Sequence, residues 1–309
     1  MDNQKKLNEL VSVHLGKAGD GSVVKPYVTP DEVDPSLLVG VPRQLNRTQY
    51  DLDDGNLPFV GYDVWNGYEF STLLTSGFPV SGWVKFSYSS STPFIVESKS
   101  VKLYLNSFNM AKIIETEKDI EVIETKIKND IGEVVQGDVD VRVFIDPKET
   151  KEPFKKPFYS IEKLVDVENI KFDRYNESED ILKIIPMGEC PLKGYYRSYS
   201  LRSNCRVTNQ PDWGDVYIYI KGAMTVSLES LLQYIVSMRK ENHFHEEICE
   251  CIYKRLHDLL SPIELFVGCL YTRRGGIDIN PIRATSIETV KAVSNIHNVN
   301  RPSTKTARQ

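Results

Sequence analysis

The chain has 309 residues, of which 40% are hydrophobic and 26% are charged, and this balance predicts a globular protein with one large or two medium cores. Its net charge of −5 argues against the basic surface that dominates nucleic-acid binding and favours a small-molecule ligand. No apolar run approaches the roughly 20 residues that a membrane-spanning helix needs. We therefore expect neither a directly bound nucleic acid nor a membrane.

The cysteines and the first residues predict the compartment. The number of cysteines is odd, and their spacing is not that of a disulfide framework. The amino-terminal residues lack the apolar core of a signal peptide. These features favour the reducing cytoplasm. The cysteines are Cys190, Cys205, Cys249, Cys251 and Cys269.

The first half of the chain alternates between strand and helix patterns. Residues 59–86 are strand-like and rich in aromatic side chains, and residues 94–99 predict a short strand. Apolar spacing predicts helices over residues 101–114 and 120–131, and residues 138–145 alternate as a strand.

The second half repeats this order. Residues 195–201 and 216–220 predict strands, and apolar stripes over 228–235 and 248–260 predict two helices. Residues 263–271 predict the next strand. Between the halves, the charged, proline-bearing residues 146–153 are typical of a linker. The polar residues 298–309 predict a frayed tail.

A cysteine and an aspartate lie seven residues apart in residues 203–213, which read SNCRVTNQPDW between two strand-like runs. The thiol of Cys205 could attack an electrophilic carbon, and the carboxyl group of Asp212 could protonate the adduct. The alternative is a buried, inert cysteine followed by an ordinary Pro-Asp turn.

Residues 97–104, which read ESKSVKLY, stand where a strand passes into a helix. The free N–H groups of a helix start suit an anion, and the lysines suit a phosphate. A capped helix start with solvated lysines explains the same residues.

Phe244, His245 and Glu246 stand at the start of another predicted helix. A purine could stack on the aromatic ring and present its N–H groups to the carboxylate. The alternative is an amphipathic helix start whose acids favour the helix dipole.

Residues 273–281, which read RRGGIDINP, join two arginines to a glycine pair after a strand. The guanidinium groups of Arg273 and Arg274 suit a phosphate. A plain hairpin turn explains Gly275 and Gly276 equally well.

Spacing argues against two other kinds of site. His243, His245, Cys249 and Cys251 form pairs two residues apart, which would point to nearly opposite helix faces, so we expect no metal. The glycines at positions 16, 19 and 21 lack both a preceding strand and the Rossmann fingerprint. A nicotinamide cofactor would have to be held in another way.

These four blocks, in this order, resemble the QueF family, the NADPH-dependent 7-cyano-7-deazaguanine reductases. Residues 97–104 resemble the family's signature motif, and the other three blocks resemble its remaining motifs. The resemblance spans residues 40–283 and matches the long, two-module form. Arg206 departs from the pattern, because it places a charge directly after Cys205 where an uncharged residue is expected.

The resemblance implies an α+β tunnelling fold, the T-fold. Two tandem modules, residues 1–150 and 151–309, would each form an antiparallel sheet backed by two helices, and the modules would assemble into a barrel. The repeated order of strands and helices is compatible with this architecture. A homodimer is implied, and we expect its subunits to share the site, because such a barrel closes only by association.

The reaction implied is a four-electron reduction of a nitrile to a primary amine with two NADPH, in queuosine biosynthesis for transfer RNA. Cys205 would add to the nitrile carbon and give a thioimidate. Asp212 would protonate the nitrogen, with a pKa raised by burial or by nearby anions. His245 would assist protonation and the placement of the second hydride.

The resemblance also implies two sets of binding residues and no metal. Glu97 and Glu246 would accept hydrogen bonds from the deazaguanine, and Phe244 would pack on its face. The implied substrate residues are Val96, Glu97, Ser98, Phe244, His245 and Glu246, and the implied NADPH residues are Ser98, Lys99, Arg274 and Gly275.

Two other classes of function stay open. One is a non-reducing binder of purines or pterins, which has no need of the Cys205 and Asp212 pair. The other is a thiol-dependent hydrolase of amides or nitriles, which would consume no NADPH.

Overall fold

The computed structural model describes residues 29–145, 149–186, 192–206, 208–306 and 309. Residues 146–148 of the predicted linker, Cys190, Val207 and the glycines at positions 16, 19 and 21 lie outside the described residues. No helix among the described residues is long and apolar enough to cross a membrane.

Strands and helices alternate along the described chain. The strands are β1 Gly40–Pro42, β2 Val60–Leu74, β3 Pro79–Ser89, β4 Phe94–Val96, β5 Lys112–Ile114, β6 Val139–Phe144, β7 Tyr159–Ser160, β8 Ile184–Pro186, β9 Leu192–Cys205, β10 Pro211–Gly222, β11 Met224–Val226, β12 Asn242–His243, β13 Glu264–Tyr271 and β14 Ile277–Ala284. The α-helices are α1 Gln44–Arg47, α2 Ser98–Asn106, α3 Ile120–Val135, α4 Leu228–Ser237, α5 His245–Leu260 and α6 Ile287–Val293. Short 3₁₀ helices lie at Pro35–Leu37, Thr48–Tyr50, Glu117–Asp119, Ile161–Lys163, Val167–Asn169, Glu179–Ile181 and Met238–Lys240.

One large sheet organises the described residues, and its main order is β12-β9-β10-β13-β14-β2-β3-β6. The long neighbours pair antiparallel, which confirms the α+β class with antiparallel strands. Strand β14 pairs with β2 from Ile277 opposite Gly67 to Ala284 opposite Val60. The sheet therefore continues from one half of the chain into the other, and the division at residue 150 stays a prediction.

The two halves place their elements in the same order. The hairpin of β2 and β3 is followed by α2, α3 and then β6, which pairs with β3. The hairpin of β9 and β10 is followed by α4, α5 and then β13, which pairs with β10.

The four longer helices cover one face of the sheet, because each has an apolar stripe that must leave water. In α3 the stripe consists of Ile123, Ile127, Ile131 and Val135, which are four residues apart and fully buried. Alternate strand residues face the opposite side, where Tyr217, Phe266 and Ile282 pack with Val290 of α6.

The structure differs from the predicted elements in several places. The helix predicted over residues 101–114 ends at Asn106, and the following Lys112–Ile114 pairs with β2 as a strand. Residues 59–86 are not one strand, because the chain reverses at Gly77, whose φ of +91° suits glycine. Strand β14 and helix α6 are not among the predicted elements.

The predicted frayed tail is wrong for its described residues. The buried Lys85 Nζ donates hydrogen bonds to the carbonyl oxygens of Asn298 and Arg301, each at 2.9 Å. Lys305 Nζ lies 3.0 Å from Asp278 Oδ2 on β14. The polar groups of the tail therefore bind polar residues of the sheet in addition to facing solvent.

Candidate active site

The predicted site residues meet in one cavity on the helix-covered face of the sheet. The end of β9, the start of β10, the first turns of α2 and α5, and the β13–β14 hairpin contribute to its wall. One chain supplies every predicted residue, so the structure favours a site within one chain over a site whose residues are divided between subunits. The predicted residues are Val96, Glu97, Ser98, Lys99, Cys205, Asp212, Phe244, His245, Glu246, Arg274 and Gly275.

Cys205 is the last residue of β9, where hydrogen bonds close the base of the connection to β10. Its backbone N–H donates to Gln210 O at 2.8 Å, and Asn209 N–H donates to Cys205 O at 2.9 Å. Asn209 adopts a φ of +56°, a left-handed conformation that asparagine tolerates. The thiol is half-buried and carries no disulfide. The turn therefore presents an accessible thiol on a fixed backbone.

Asp212 begins β10 and is 2% exposed. Arg274 Nη1 donates a hydrogen bond to Asp212 Oδ1, and His245 Nε2 lies 3.4 Å from Asp212 Oδ2. Burial raises the pKa of Asp212, but His245 and then Arg274 outweigh burial and hold the pKa below its usual value. The expected raised pKa is therefore wrong: in this structure Asp212 is a carboxylate with two cationic or hydrogen-bonding neighbours.

His245 is the first residue of α5 and is oriented by stacking. Its ring lies 3.8 Å from the Tyr271 ring at an interplanar angle of 8°. With Nε2 directed at Asp212, the buried Nδ1 has no hydrogen-bond partner among the described residues. The imidazole is thus placed to exchange a proton with Asp212.

Glu97 caps helix α2, as the alternative interpretation of its block predicts. Its Oε1 accepts a hydrogen bond from Lys99 N at 2.9 Å, and its Oε2 accepts one from Ser100 N at 2.7 Å. Two otherwise unpaired N–H groups of the helix start are satisfied in this way. A carboxylate has about four acceptor positions, so the capping carboxylate can still accept from a ligand.

Glu246 is 2% exposed, and its Oε1 has no hydrogen-bond partner among the described residues. Burial raises the pKa of Glu246 to about 8, and the Asp63 carboxylate adds to the rise, while Arg43 and Arg283 oppose it. The neighbouring Phe244 is half-buried and packs against the small cluster of Val41 and Ile95. An unpartnered buried carboxyl group beside an aromatic ring suits a flat ligand with N–H donors.

A chain of buried ion pairs lies one helix turn from Glu246. Glu250, four residues further along α5, binds Arg283 Nη2 at 2.8 Å. Arg283 Nη1 in turn lies 2.8 Å from Asp63, and Arg43 reaches the other Asp63 oxygen at 2.5 Å. These pairs join α5 and β14 to β2, and they supply the charges that act on Glu246.

The β13–β14 hairpin brings Arg274 to the cavity. Arg274 and Ile277 exchange backbone hydrogen bonds of 2.8 and 3.1 Å, and Gly275 and Gly276 both have positive φ. This is the two-residue hairpin of the alternative interpretation, and glycine is what such a turn requires. A Cβ on Gly275 would lie 3.3 Å from Lys102 Cδ, so the bare backbone leaves room beside a lysine.

This corner has the chemistry that a nicotinamide dinucleotide phosphate needs. Lys99, Lys102 and Arg274 line the cavity and offer cationic donors for phosphate groups. Burial lowers the pKa of Arg274, but Asp212 and Cys205 outweigh burial and raise it, so the guanidinium stays charged. The residues therefore fit the cofactor. Among the described residues, no group of three or more His, Cys, Asp or Glu side chains is arranged to hold a metal.

Sequence reasoning missed several lining residues, among them Trp65, Lys102 and His243. Lys102 is one of the two lysines of the signature block that were suggested for a phosphate, but it was not among the implied NADPH residues. Trp65 gave no local signal, because it comes from the middle of β2 and reaches the cavity only through the pairing of β2 with β14. His243 was considered only as a metal ligand, whereas here it binds Glu247 and Glu241.

Two family models match the chain. The first, described as nitrile reductase, 7-cyano-7-deazaguanine-reductase N-term, matches residues 29–143. The second, described as QueF-like protein, matches residues 211–289. An NADPH-dependent 7-cyano-7-deazaguanine reductase of Colwellia psychrerythraea is 39% identical over 93% of this chain and 96% of its own length. This chain belongs to the QueF family.

Other comparisons agree to different degrees. The QueF protein of Cupriavidus taiwanensis, also named NADPH-dependent 7-cyano-7-deazaguanine reductase, is 40% identical over 84% of this chain and 91% of its own length. The crystal structure of the archaeosine synthase QueF-Like in the apo form covers 32% of this chain and 98% of its own, at 14% identity. Its TM-score of 0.29 is too low to support an argument. Cys205 and Arg206 fall between the two ranges matched by the QueF models.

Proposed function

We propose that this chain reduces the nitrile of 7-cyano-7-deazaguanine to the primary amine of 7-aminomethyl-7-deazaguanine, with NADPH as reductant, in queuosine biosynthesis for transfer RNA. The observation that carries the proposal is the convergence of Cys205, Asp212, Glu246 and Arg274 on one cavity. The QueF relatives named above, which are similar over nearly the whole chain, support it.

The base is recognised by two carboxylates and a ring. Glu246 accepts N–H donors of the deazaguanine with its unpartnered Oε1, and Glu97 accepts with the lone pairs that capping leaves over. Phe244 packs on the face of the base, and Val96 and Ser98 complete the wall. A buried carboxyl group rejects a base that lacks the matching donor, because its desolvation would go uncompensated.

The first chemical step is the addition of Cys205 to the nitrile carbon. The S–H bond breaks, the C–S bond forms, and the nitrogen gains one proton, which gives a thioimidate on Cys205. Asp212 is ionised before the step, so it can accept the thiol proton and then deliver it to the nitrogen. Asp212 therefore acts as base and acid in turn, and the addition needs no outside proton.

When bound, NADPH would supply two hydrides, one from each of two molecules. Each reduction also takes up one proton, and the C–S bond breaks between the two reductions, so that Cys205 returns as a thiol. Ser98, Lys99, Arg274 and Gly275 hold NADPH beside the thiol. Arg274 also donates a hydrogen bond to Asp212 and interacts with Cys205. It therefore contacts both the residues that react and the residues that bind the cofactor. His245 passes a proton to Asp212 between the two reductions, across the 3.4 Å that separates them.

The finer architecture belongs to the same proposal. Each half, with its hairpin, two helices and following strand, is one T-fold module, and two chains assemble as a homodimer whose sheets close a barrel. The reducing cytoplasm keeps Cys205 as a free thiol for the reaction.

The test is NADPH oxidation followed at its absorbance with and without 7-cyano-7-deazaguanine. We expect two NADPH consumed for each amine formed and none without the nitrile. Release of an amide or acid with no NADPH consumed would indicate a hydrolase instead. Tight binding without any turnover would indicate a binder. Cys205→Ala and Cys269→Ala form a matched pair, since only the first should abolish oxidation.

A further inference from the structure

Arg206 is the charged residue that departs from the QueF pattern, and the proposed reaction assigns it no role. Its side chain is only 7% exposed, although it directly follows the half-buried Cys205. Arg206 Nη1 donates to Glu247 Oε2 at 2.7 Å and also contacts Asn46 Oδ1 of α1. A buried guanidinium is costly unless its partners repay the desolvation, so these contacts fix where the side chain lies.

Glu247 connects Arg206 to the residues that face the base. It is the third residue of α5, and its Oε2 also accepts a hydrogen bond from Phe244 N at 3.2 Å. One carboxylate oxygen therefore holds the turn that carries Phe244, His245 and Glu246 against the residue that follows the nucleophile.

His243 is a second residue that contacts both Glu247 and the strand of Cys205. Its Nδ1 lies 2.9 Å from the same Glu247 oxygen, and its Nε2 lies 3.2 Å from Glu241. In the parallel pairing of β12 with β9, His243 stands opposite Cys205. The cluster thus contains two cations, Arg206 and protonated His243, and the carboxylates of Glu241 and Glu247. Arg206 follows Cys205 in the chain and His243 pairs with it across the sheet, so the cluster contacts the backbone around Cys205 from two sides.

We propose that Arg206 and Glu247 form a clamp that positions the Cys205 thiol against the base-reading turn, residues 244–246. The clamp rests on the proposed function. Both residues are positioning residues, because neither needs to touch the substrate. The addition of a thiol demands reacting atoms about 3–3.5 Å apart, and a displacement of about 1 Å can slow such a step by about a hundredfold. Loosening the clamp therefore slows the addition more than it weakens binding of the base.

The test uses the full chain with the nitrile and without NADPH. Covalent adduct formation at Cys205 is timed by mass spectrometry in wild type, Arg206→Leu, Glu247→Gln and the double variant. We expect each single variant to form the adduct roughly tenfold to a hundredfold more slowly, with an affinity within about threefold of wild type. The double variant should be no slower than the worse single variant, because both substitutions remove the same interaction.

Two controls separate this result from a general loss of structure. Arg202→Leu removes a partly buried arginine of β9 that donates to Arg239 O rather than to α5, and it should leave the adduct rate unchanged. Arg206→Lys keeps the charge but reaches fewer acceptors, so its rate should fall between wild type and Arg206→Leu.

A readout that needs no substrate distinguishes failure of the clamp from failure of the proposed function. Alkylation of Cys205 by iodoacetamide should become severalfold faster in Arg206→Leu, because the half-buried thiol is less confined. If wild type forms no adduct, the proposed function is wrong. The clamp is then tested only by comparing the alkylation rates of Cys205 in wild type and Arg206→Leu. Unchanged adduct and alkylation rates in Arg206→Leu would overturn the clamp, as would single effects that multiply in the double variant.

Discussion

At the scale of single residues, Asp212 and Glu246 show how two equally buried carboxyl groups of one cavity acquire opposite ionisation. Each is 2% exposed. His245 and Arg274 hold the pKa of Asp212 low, whereas burial and Asp63 raise the pKa of Glu246 to about 8. Asp212 is therefore ionised and can accept a proton from a thiol. Glu246 is protonated in the free protein and loses its proton when a ligand binds.

We predict that Asp212→Asn and Glu246→Gln fail in different ways. Asp212→Asn should lose about two to four orders of magnitude in single-turnover rate and keep its affinity, because an amide cannot relay the thiol proton. Glu246→Gln should mainly weaken binding of the base. Calorimetry and single-turnover rates separate the two effects, and similar losses of affinity in both variants would contradict the assignment.

The raised pKa of Glu246 predicts a pH dependence of binding. Below about pH 8 the free protein holds a proton on Glu246, and binding must remove it so that both oxygens can accept from the base. The dissociation constant should therefore fall as the pH rises from 6 towards 8 and level off above it, by up to about tenfold per pH unit. Calorimetry at several pH values measures this, and Glu246→Gln should abolish the trend.

At this scale the sequence predicted residues that the structure brings to one cavity, but it did not predict their ionisation. Cys205 and Asp212 are neighbours in the chain, so their pairing could be inferred from spacing. The low pKa of Asp212 could not, because Arg274 reaches it from 62 residues away, on a hairpin that the sequence analysis left ambiguous. Trp65 was missed for a similar reason, since it comes from the middle of β2 and reaches the cavity only through the pairing of β14 with β2.

At the scale of elements, the starts of helices α2 and α5 carry most of the groups that we propose face the base. Glu97 is the capping residue of α2, and Phe244 occupies the cap position of α5, where Glu247 bonds back to its N–H. For Glu97 the structural interpretation of its sequence block is confirmed, and its role in binding the base stays a prediction. Capping fixes the carboxylate by two backbone bonds, and the fixed carboxylate then faces the cavity.

The junction of β12, β9 and α5 should make stability depend on pH. Burial lowers the pKa of His243, but hydrogen bonds to Glu241 and Glu247 outweigh burial and raise it to about 9. A raised folded-state pKa stabilises the fold fully below about pH 6.5, and this stabilisation is lost as the pH rises through about 9.

We therefore predict that the melting temperature of wild type falls between pH 6.5 and 9.5 by more than that of His243→Gln. Thermal unfolding of both proteins at matched pH values gives the difference, which isolates His243 from other groups that titrate in this range. Parallel pH profiles for the two proteins would show that His243 does not gain a proton on folding.

At the scale of the whole molecule, a single sheet runs through both halves of the chain, with β14 as the joining strand. Buried ion pairs of Arg283 with Asp63 and Glu250 reinforce this junction. The order of elements in each half was predictable from periodicity. The joining strand β14 was not among the predicted elements, although Ile277 and Ile279 alternate with Asp278 and Asn280 as strand residues do, because residues 273–281 were interpreted as a phosphate site or a turn.

Because one chain brings all the predicted site residues to one cavity, we predict that subunits do not complement each other. A Glu97→Ala chain mixed with a Cys205→Ala chain should regain no NADPH oxidation, since neither chain holds an intact cavity. The chains are unfolded together and refolded so that mixed assemblies form, and NADPH oxidation is then compared with that of each variant alone. Recovery towards half of the wild-type sites would show that the site is shared between subunits.

The measurement that tests the central claim most directly is the intact mass of the protein after incubation with 7-cyano-7-deazaguanine in the absence of NADPH. Addition of a thiol to a nitrile expels no leaving group, so we predict a mass increase equal to the whole substrate, mapped to Cys205 and absent in Cys205→Ala. An adduct on Cys249, Cys251 or Cys269 would contradict the account. So would wild-type reduction of the nitrile that persists in Cys205→Ala.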